Sequence, residues 1–128
     1  MENKENELVK ITETGKVLNV TKACIDNSNF NDIRAIGVKI INANLSDLEI
    51  EGAQLGGAYI HNIGMPPKGH PFYDPNAKQR PLKFENCDLN NSTLVDCNLS
   101  GVIIDDCNLN GMKINDILVE DLLRAYKK

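Results

Sequence analysis

Residues 84–119 read FENCDLNNSTLVDCNLSGVIIDDCNLNGMKINDILV, and the architecture expected of the chain follows from this segment. Every fifth residue in it is apolar: Phe84, Leu89, Leu94, Leu99, Ile104, Leu109, Ile114 and Val119. An earlier segment has the same period, at Ile25, Phe30, Ala35, Ile40, Leu45, Ile50, Leu55 and Ile60. In a chain that is 41% hydrophobic, chance would give this about one time in 10⁵. Because neither an α-helix nor a β-strand has a period of five, the pattern indicates an internal repeat.

The residues around each central apolar residue also follow a pattern. The residue two before the centre is usually small or apolar, the one between them is usually polar, and the two after it are mostly turn formers. Clear copies are Ala43-Asn44-Leu45, Cys87-Asp88-Leu89 and Cys97-Asn98-Leu99. The pattern resembles that of the pentapeptide-repeat family, A(D/N)LXX, and the resemblance covers roughly residues 23–121 apart from an insertion.

The resemblance implies an all-β solenoid, a right-handed quadrilateral β-helix of about four coils. Four pentapeptides would make one square coil, with the centre and the residue two before it pointing inward. A single unit cannot bury its apolar side chains alone, whereas stacked coils can. The expected layout is an N-terminal segment and cap at 1–22 and a β-helix at 23–121, interrupted by a loop at 64–83. A short C-terminal capping helix at 119–128 completes it.

The sixteen centres are therefore the predicted repeat core. Three cysteines, Cys87, Cys97 and Cys107, fall in the inward position two before a centre. Coils of twenty residues would place Cys107 one coil above Cys87, at the ~4.8 Å strand spacing that a disulfide tolerates. We expect reduced thiols that pack like alanine, as is usual for cysteines of a cytosolic protein.

The interruption at residues 64–83 contains all five prolines of the chain and is basic. Proline lacks the N–H that a paired ladder requires, so this segment is predicted to loop out of a coil. A loop of this length is uncommon unless it is functional or disordered. It either caps the outer wall or recognises a partner protein. The candidate partner-binding residues are His70, Phe72, Tyr73 and Arg80 in this loop and Tyr59, a large side chain expected to be exposed on a wall of the solenoid.

At the C-terminus the period changes. Val119, Leu122, Leu123 and Tyr126 have the spacing of a short amphipathic helix, with acidic residues in its first turn and basic residues near its end. An open β-helix end exposes core side chains and backbone, so a capping helix is expected. The alternative for the same apolar face is a homodimer contact, because related proteins often pair by their C-terminal ends.

Composition excludes some classes of function. The chain has 128 residues, a net charge of −4, two histidines and no tryptophan. It has no Gly-rich phosphate loop and no metal-spaced set of ligands, so we expect no enzyme activity, no metal and no cofactor. The N-terminal residues are polar and no run is long enough to span a membrane, which predicts a cytoplasmic protein without membrane contact.

Two functions are open at this point. The first is a non-catalytic interaction module for a protein partner whose identity is unknown. The second is a DNA mimic that binds type II topoisomerases, as some pentapeptide-repeat proteins do, inhibiting gyrase or protecting it from quinolones. Residues 82–121 hold eight acids against two bases, which fits mimicry and argues against direct nucleic-acid binding. However, four coils would span only roughly 19 Å, or about six base pairs.

Overall fold

The backbone turns once in every five residues. The structure is a computed structural model that describes residues 7–127 and divides the chain into two units, 1–59 and 60–128. In the first unit the second residue after every centre has a positive φ: Asn27, Asp32, Gly37, Asn42, Asp47, Gly52 and Gly57. In the second unit the same holds at Asn62, Asn86, Asn91, Asp96, Gly101, Asp106, Gly111 and Asp116.

We call these positive-φ positions, two residues after each centre, the corners of the repeat. The residue types found at the corners explain the five-residue period. A positive φ is costly for most side chains, but glycine adopts it freely, and asparagine and aspartate tolerate it. All fifteen corners after the predicted centres are Gly, Asn or Asp. Val119 is the exception among the sixteen centres, because the chain enters a helix there. The five-residue period of the sequence is therefore matched by a five-residue period in the backbone torsion angles.

Hydrogen-bonded β-turns recur at alternate corners of the described chain, except that no such bond starts at Ala35. In the second unit the N–H groups of Ser92, Val102 and Met112 donate to the carbonyl oxygens of Leu89, Leu99 and Leu109, at 3.0, 3.0 and 3.1 Å. In the first unit equivalent bonds start at Ile25, Leu45 and Leu55, at 3.2, 3.1 and 2.8 Å. Residues 86–115 therefore consist of three structural units of ten residues, and each unit contains one corner with this hydrogen bond and one where the described structure lacks it.

The polar residue before a centre has a structural role in these turns. The side-chain oxygens of Asp88, Asn98 and Asn108 accept from the N–H groups of Asn90, Ser100 and Asn110, at 2.9, 3.0 and 3.0 Å. Asn44 accepts from the Ser46 N–H in the same way, at 3.1 Å. A side chain that satisfies the backbone two residues on stabilises a turn without any tertiary contact. This accounts for the preference for Asp or Asn at that place in the repeat.

The regular elements lie at the end of the second unit. Strands β1 (Lys113–Ile114) and β2 (Ile117–Leu118) pair antiparallel, with Lys113 opposite Leu118 and Ile114 opposite Ile117. Asn115 and Asp116 connect them, both with positive φ (48° and 67°), as a type I′ hairpin turn requires. Helix α1 (Val119–Tyr126) follows directly. It lies where the change of period predicts a helix, and Lys128 of the predicted segment is outside the described residues.

Burial differs from the expectation for a stacked solenoid. Among the described residues Val119 alone is buried, with 8% of its surface exposed. Leu109 is half-buried, and the other large centre side chains are exposed, from 47% at Leu45 to 73% at Leu94. The two strands named above are the only ones among residues 7–127, so ladders between successive coils are not formed there. The turns depend on neighbours within five residues, whereas stacking needs contacts across a whole coil. The stacked core of sixteen centres remains a prediction.

The predicted N-terminal cap is described in part. Residues 1–6 of this segment lie outside the described residues, and residues 7–22 contain neither helix nor strand. Their large apolar side chains are exposed, at Leu8, Val9, Ile11, Val17, Leu18 and Val20. No helix among residues 7–127 combines the length and the apolar character needed to cross a membrane.

Candidate functional site

The insertion at residues 64–83 folds as a series of tight turns. The His70 N–H donates to the Pro67 carbonyl oxygen at 3.0 Å, and the Tyr73 N–H donates to the His70 carbonyl oxygen at 2.9 Å. Gly69 lies at the third position of the first turn with φ +96°, which only glycine adopts without strain. The described loop therefore has a defined local backbone although it contains no helix or strand.

A third turn follows in the same loop. The Ala77 N–H donates to the Asp74 carbonyl oxygen at 3.2 Å, and the Asn76 N–H donates to Oδ1 of Asp74 at 2.9 Å. The second bond ties the side chain of Asp74 to its own turn, the usual role of aspartate before a tight bend. Asp74 therefore has a local structural partner, and this part of the loop has the same type of side-chain-to-backbone bond as the repeats.

The centre of the loop is an aromatic cluster of His70 and Phe72, and Tyr73 follows it in the same turn. Nδ1 of His70 accepts from the Phe72 N–H at 3.1 Å, and the two ring centroids lie 5.7 Å apart with a tilt of 43°. The side chain of Phe72 is 80% exposed and that of Tyr73 is 42% exposed. One imidazole thus fixes the backbone beneath an exposed ring and contacts the ring itself.

The structure brings together three of the five candidate binding residues. His70, Phe72 and Tyr73 belong to one turn, and Arg80 follows in the same loop. Tyr59 is exposed and ends the first unit, whereas the loop belongs to the second. Tyr59 and Arg80 both have interaction partners. The hydrogen bond from Phe72 to His70 was not anticipated from the sequence. A histidine two residues before another aromatic residue, just after Gly69, is the signal that could have suggested it.

The loop is basic, and one of its cations lies in a turn while another directly follows one. Lys68 is the second residue of the Pro67–His70 turn, and Lys78 follows the Asp74–Ala77 turn. At its end, Lys83 forms an exposed ion pair with Glu85, with 3.3 Å between Nζ and Oε1. An exposed pair of this kind contributes little to stability. The loop therefore presents the exposed ring of Phe72, with lysines close to it in the sequence. This combination suits binding of a partner and not catalysis.

The three evenly spaced cysteines are exposed, contrary to the expectation that they are buried. Each thiol donates to the carbonyl oxygen two residues earlier: Cys87 to Glu85 at 3.3 Å, Cys97 to Val95 at 3.4 Å, and Cys107 to Asp105 at 3.2 Å. All four cysteines are free, and Cys24 is half-buried. They are exposed because the coils are not stacked over them. Within residues 7–127, no group of three His, Cys, Asp or Glu side chains could hold a metal ion.

Helix α1 is attached to the last repeat turn by two hydrogen bonds. The Val119 N–H donates to the Met112 carbonyl oxygen at 3.0 Å, which extends the β1–β2 pairing by one step. The Gly111 N–H donates to Oε1 of Glu120 at 2.9 Å. This second bond, between a turn and a side chain nine residues away, was also missed from the sequence. The sequence feature that could have suggested this bond is a glutamate in the first turn of a helix that directly follows a hairpin.

Comparison with known proteins supports the resemblance inferred from the pattern. The family model for pentapeptide repeats matches residues 83–116, with eight copies. The matched segment includes the three ten-residue units and β1. No curated protein and no solved structure matches the chain significantly.

Proposed function

Because residues 83–116 consist of pentapeptide repeats, we propose that this protein is a non-catalytic protein-interaction module that binds its partner through the loop at 64–83. Repeats of this family generally form β-helical solenoids and serve as structural or interaction modules. The finer architecture belongs to the proposal: a right-handed quadrilateral β-helix of about four coils that buries the sixteen centres. Corners repeated at five-residue intervals support it, because they turn the backbone at the positions where a square coil needs corners.

The observation that carries the binding proposal is the cluster of His70 and Phe72. The Phe72 ring is exposed, and the hydrogen bond from the Phe72 N–H to His70 restrains the backbone that carries it, so less backbone freedom is lost on binding. Aromatic side chains supply the largest contact area per residue and are enriched among residues that dominate binding energy. Phe72 is therefore the proposed anchor, and His70 positions it.

Charge indicates what kind of partner suits the loop. Lys68 and Lys78 flank the aromatic cluster along the chain, whereas residues 82–121 are acidic. Complementary charge accelerates association and orients the partner, and its effect weakens as salt rises. The proposed partner is a protein whose surface combines an apolar pocket with acidic residues. We propose no direct nucleic-acid binding and no membrane contact, in a protein of the cytoplasm.

The experiment is affinity capture with the full chain, followed by titration calorimetry against the captured protein. The double substitution Phe72→Ala with Tyr73→Ala is expected to abolish capture while the far-ultraviolet circular dichroism is unchanged. A matched control is Ile103→Ala, which removes another exposed apolar side chain, within the repeats. Equal capture by both variants would refute the loop as the binding site, and an unfolded double variant would make the loop structural.

A homodimer through α1 is a second proposed contact. The side chains of Leu122, Leu123 and Tyr126 are exposed in the single chain although they form the apolar side of the helix. Sedimentation velocity of the wild type and of Leu123→Glu tests it. The wild type is expected to sediment as a dimer and the variant as a monomer. A wild-type monomer at all concentrations would exclude this contact.

The alternative proposal is DNA mimicry toward a type II topoisomerase. Aspartates 96, 106 and 116 occupy corners ten residues apart, where their carboxylates are exposed. A gyrase supercoiling assay, with and without a quinolone, distinguishes the proposals. Inhibition or protection that is lost on reversing Asp105, Asp106 and Asp116 would favour mimicry over the loop. No effect would leave the interaction module.

A further inference from the structure

The last hydrogen-bonded repeat turn contains the only Asn–Gly pair of the sequence, Asn110–Gly111. These are the two central residues of the turn closed by Met112 and Leu109, and Gly111 has φ +76°. Both lie on the exposed surface. We propose that Asn110 is a site of spontaneous deamidation, and that Glu120 of α1 controls its rate. This inference goes beyond the proposed binding function and does not depend on it.

The reaction needs only water. The backbone nitrogen of Gly111 loses its proton and attacks Cγ of Asn110, and the side-chain amide leaves as ammonia, so that a five-membered succinimide forms. Water then adds to either ring carbonyl and opens the ring to an aspartyl or an isoaspartyl residue at position 110. No electron is transferred. Glycine favours the ring closure because it has no side chain to hinder the attacking nitrogen.

The Gly111 N–H is the group that Glu120 holds. Its hydrogen is donated to Oε1 of Glu120 at 2.9 Å, and the reaction requires that same hydrogen to leave. A glutamate carboxylate is far too weak a base to remove it. Its negative charge also opposes the anionic nitrogen that must form beside it. Glu120 therefore suppresses the reaction.

Two further bonds restrain the reacting atoms. The Asn110 N–H donates to Oδ1 of Asn108 at 3.0 Å, and the Met112 N–H donates to the Leu109 carbonyl oxygen at 3.1 Å. The nitrogen can reach Cγ only if the Cα–C and Cα–Cβ bonds of Asn110 rotate, because the peptide bond itself is rigid, and the change in the backbone torsion opens the turn. While α1 is attached through Glu120, that rotation also breaks the bond to Gly111. Attachment of the helix and resistance to deamidation are thus coupled.

The preceding unit supplies a matched turn without the helix. Ser100 and Gly101 occupy the corresponding positions, with the turn closed by Val102 at 3.0 Å and the Ser100 N–H held by Asn98 at 3.0 Å. Gly101 has the same φ as Gly111, +76°. Within the described part of the chain no side chain is seen to accept from the Gly101 N–H. Ser100→Asn therefore creates a second Asn–Gly pair that differs mainly in lacking the contact with Glu120.

The modification has a structural consequence for α1. An isoaspartyl linkage adds one carbon to the main chain at a corner of the repeat. The corners recur every five residues, so the added carbon changes the local backbone geometry. The Gly111 N–H is then displaced from Glu120, and either product adds a negative charge beside that carboxylate. The helix loses one of its two hydrogen bonds to the turn. Deamidation therefore weakens the attachment of α1 to the last repeat turn.

The test measures deamidation at both sites in one chain. Full-length S100N is aged at neutral pH and physiological temperature with Glu120, E120Q or E120A. Peptide mass spectrometry gives the rate at each site, and enzymatic methylation identifies isoaspartate. With Glu120 present, the engineered site is expected to react about fivefold faster than Asn110, the effect of one exposed hydrogen bond. E120A should raise the rate at Asn110 by the same factor and leave the engineered site unchanged, with E120Q in between.

Three outcomes would overturn the proposal. Equal rates at the two sites in the presence of Glu120 would show that the contact has no effect. An unchanged rate at Asn110 in E120A would show the same. Acceleration of both sites by an equal factor in E120A would mean that the substitution loosens the whole repeat, and the specific control by Glu120 would be wrong. E120Q, which retains an oxygen acceptor, keeps the test valid if E120A fails to fold.

Discussion

The backbone N–H of Val119 donates to the carbonyl oxygen of Met112 at 3.0 Å, and this bond joins the first residue of α1 to the end of the last repeat turn. Val119 is also the sole buried residue among residues 7–127. Its side chain occupies the sixteenth place of the five-residue series, yet its backbone begins a helix. The last centre of the repeat is therefore buried as the first residue of a helix and not as part of a repeat turn.

We expect Val119→Ala to destabilise the second unit by about 1–1.5 kcal/mol, because two buried methyl groups are lost. Urea denaturation followed by circular dichroism measures the change. The matched control is Val95→Ala, which removes the same atoms from a side chain that is 74% exposed and should change stability by less than about 0.5 kcal/mol. Similar effects of the two substitutions would show that Val119 gains nothing from its buried position.

Gly101→Ala should cost about 1–2 kcal/mol through the backbone alone. Gly101 has φ +76°, and a Cβ there would contact nothing within 4 Å, so steric crowding from neighbours plays no part. Gly56→Ala is the control, since its φ is not in the left-handed region and its Cβ also has free space. That substitution should be neutral or stabilise the fold by up to about 1 kcal/mol. The difference between their urea midpoints tests whether the corners require a positive φ, and equal effects would argue against it.

His70→Ala should free the backbone beneath Phe72 without unfolding the protein. The Phe72 N–H loses its acceptor at 3.1 Å, so its amide hydrogen should exchange faster, which hydrogen exchange measured by NMR detects. His70→Asn should restore protection, because an asparagine side chain accepts from the N–H two residues on. Rapid exchange in the wild type would contradict the bond, as would unchanged exchange in the alanine variant.

Asn98→Ala should destabilise the repeat by about 0.5–1 kcal/mol, because the Ser100 N–H loses the side-chain acceptor at 3.0 Å. Asn98→Asp keeps an acceptor at the same place and should recover most of the loss. Thermal unfolding of the two variants compares them directly. A wild-type melting temperature in the alanine variant would mean that the polar residue before the centre is dispensable for the turn.

The sequence indicates where the candidate loop lies but not the contacts within it. Five prolines and the loss of the period indicate a loop at 64–83, because proline cannot join a ladder. Which residues cluster there depends on how successive turns fold back, and that produced the contact of His70 with Phe72. Tyr59, the candidate binding residue outside the loop, ends the other unit.

The sequence by itself determined the corners and the start of the C-terminal helix. Glycine, asparagine and aspartate recur where a positive φ is needed, and the acceptors that close the turns lie within three residues. Such features depend only on the chemistry of near neighbours. The tertiary structure alone decided that Val119 is the buried centre, that Glu120 holds Gly111, and that the other large centres apart from the half-buried Leu109 are exposed in the single chain. These depend on segments meeting across many residues, and a repeat whose copies are similar does not specify which of them will find a partner.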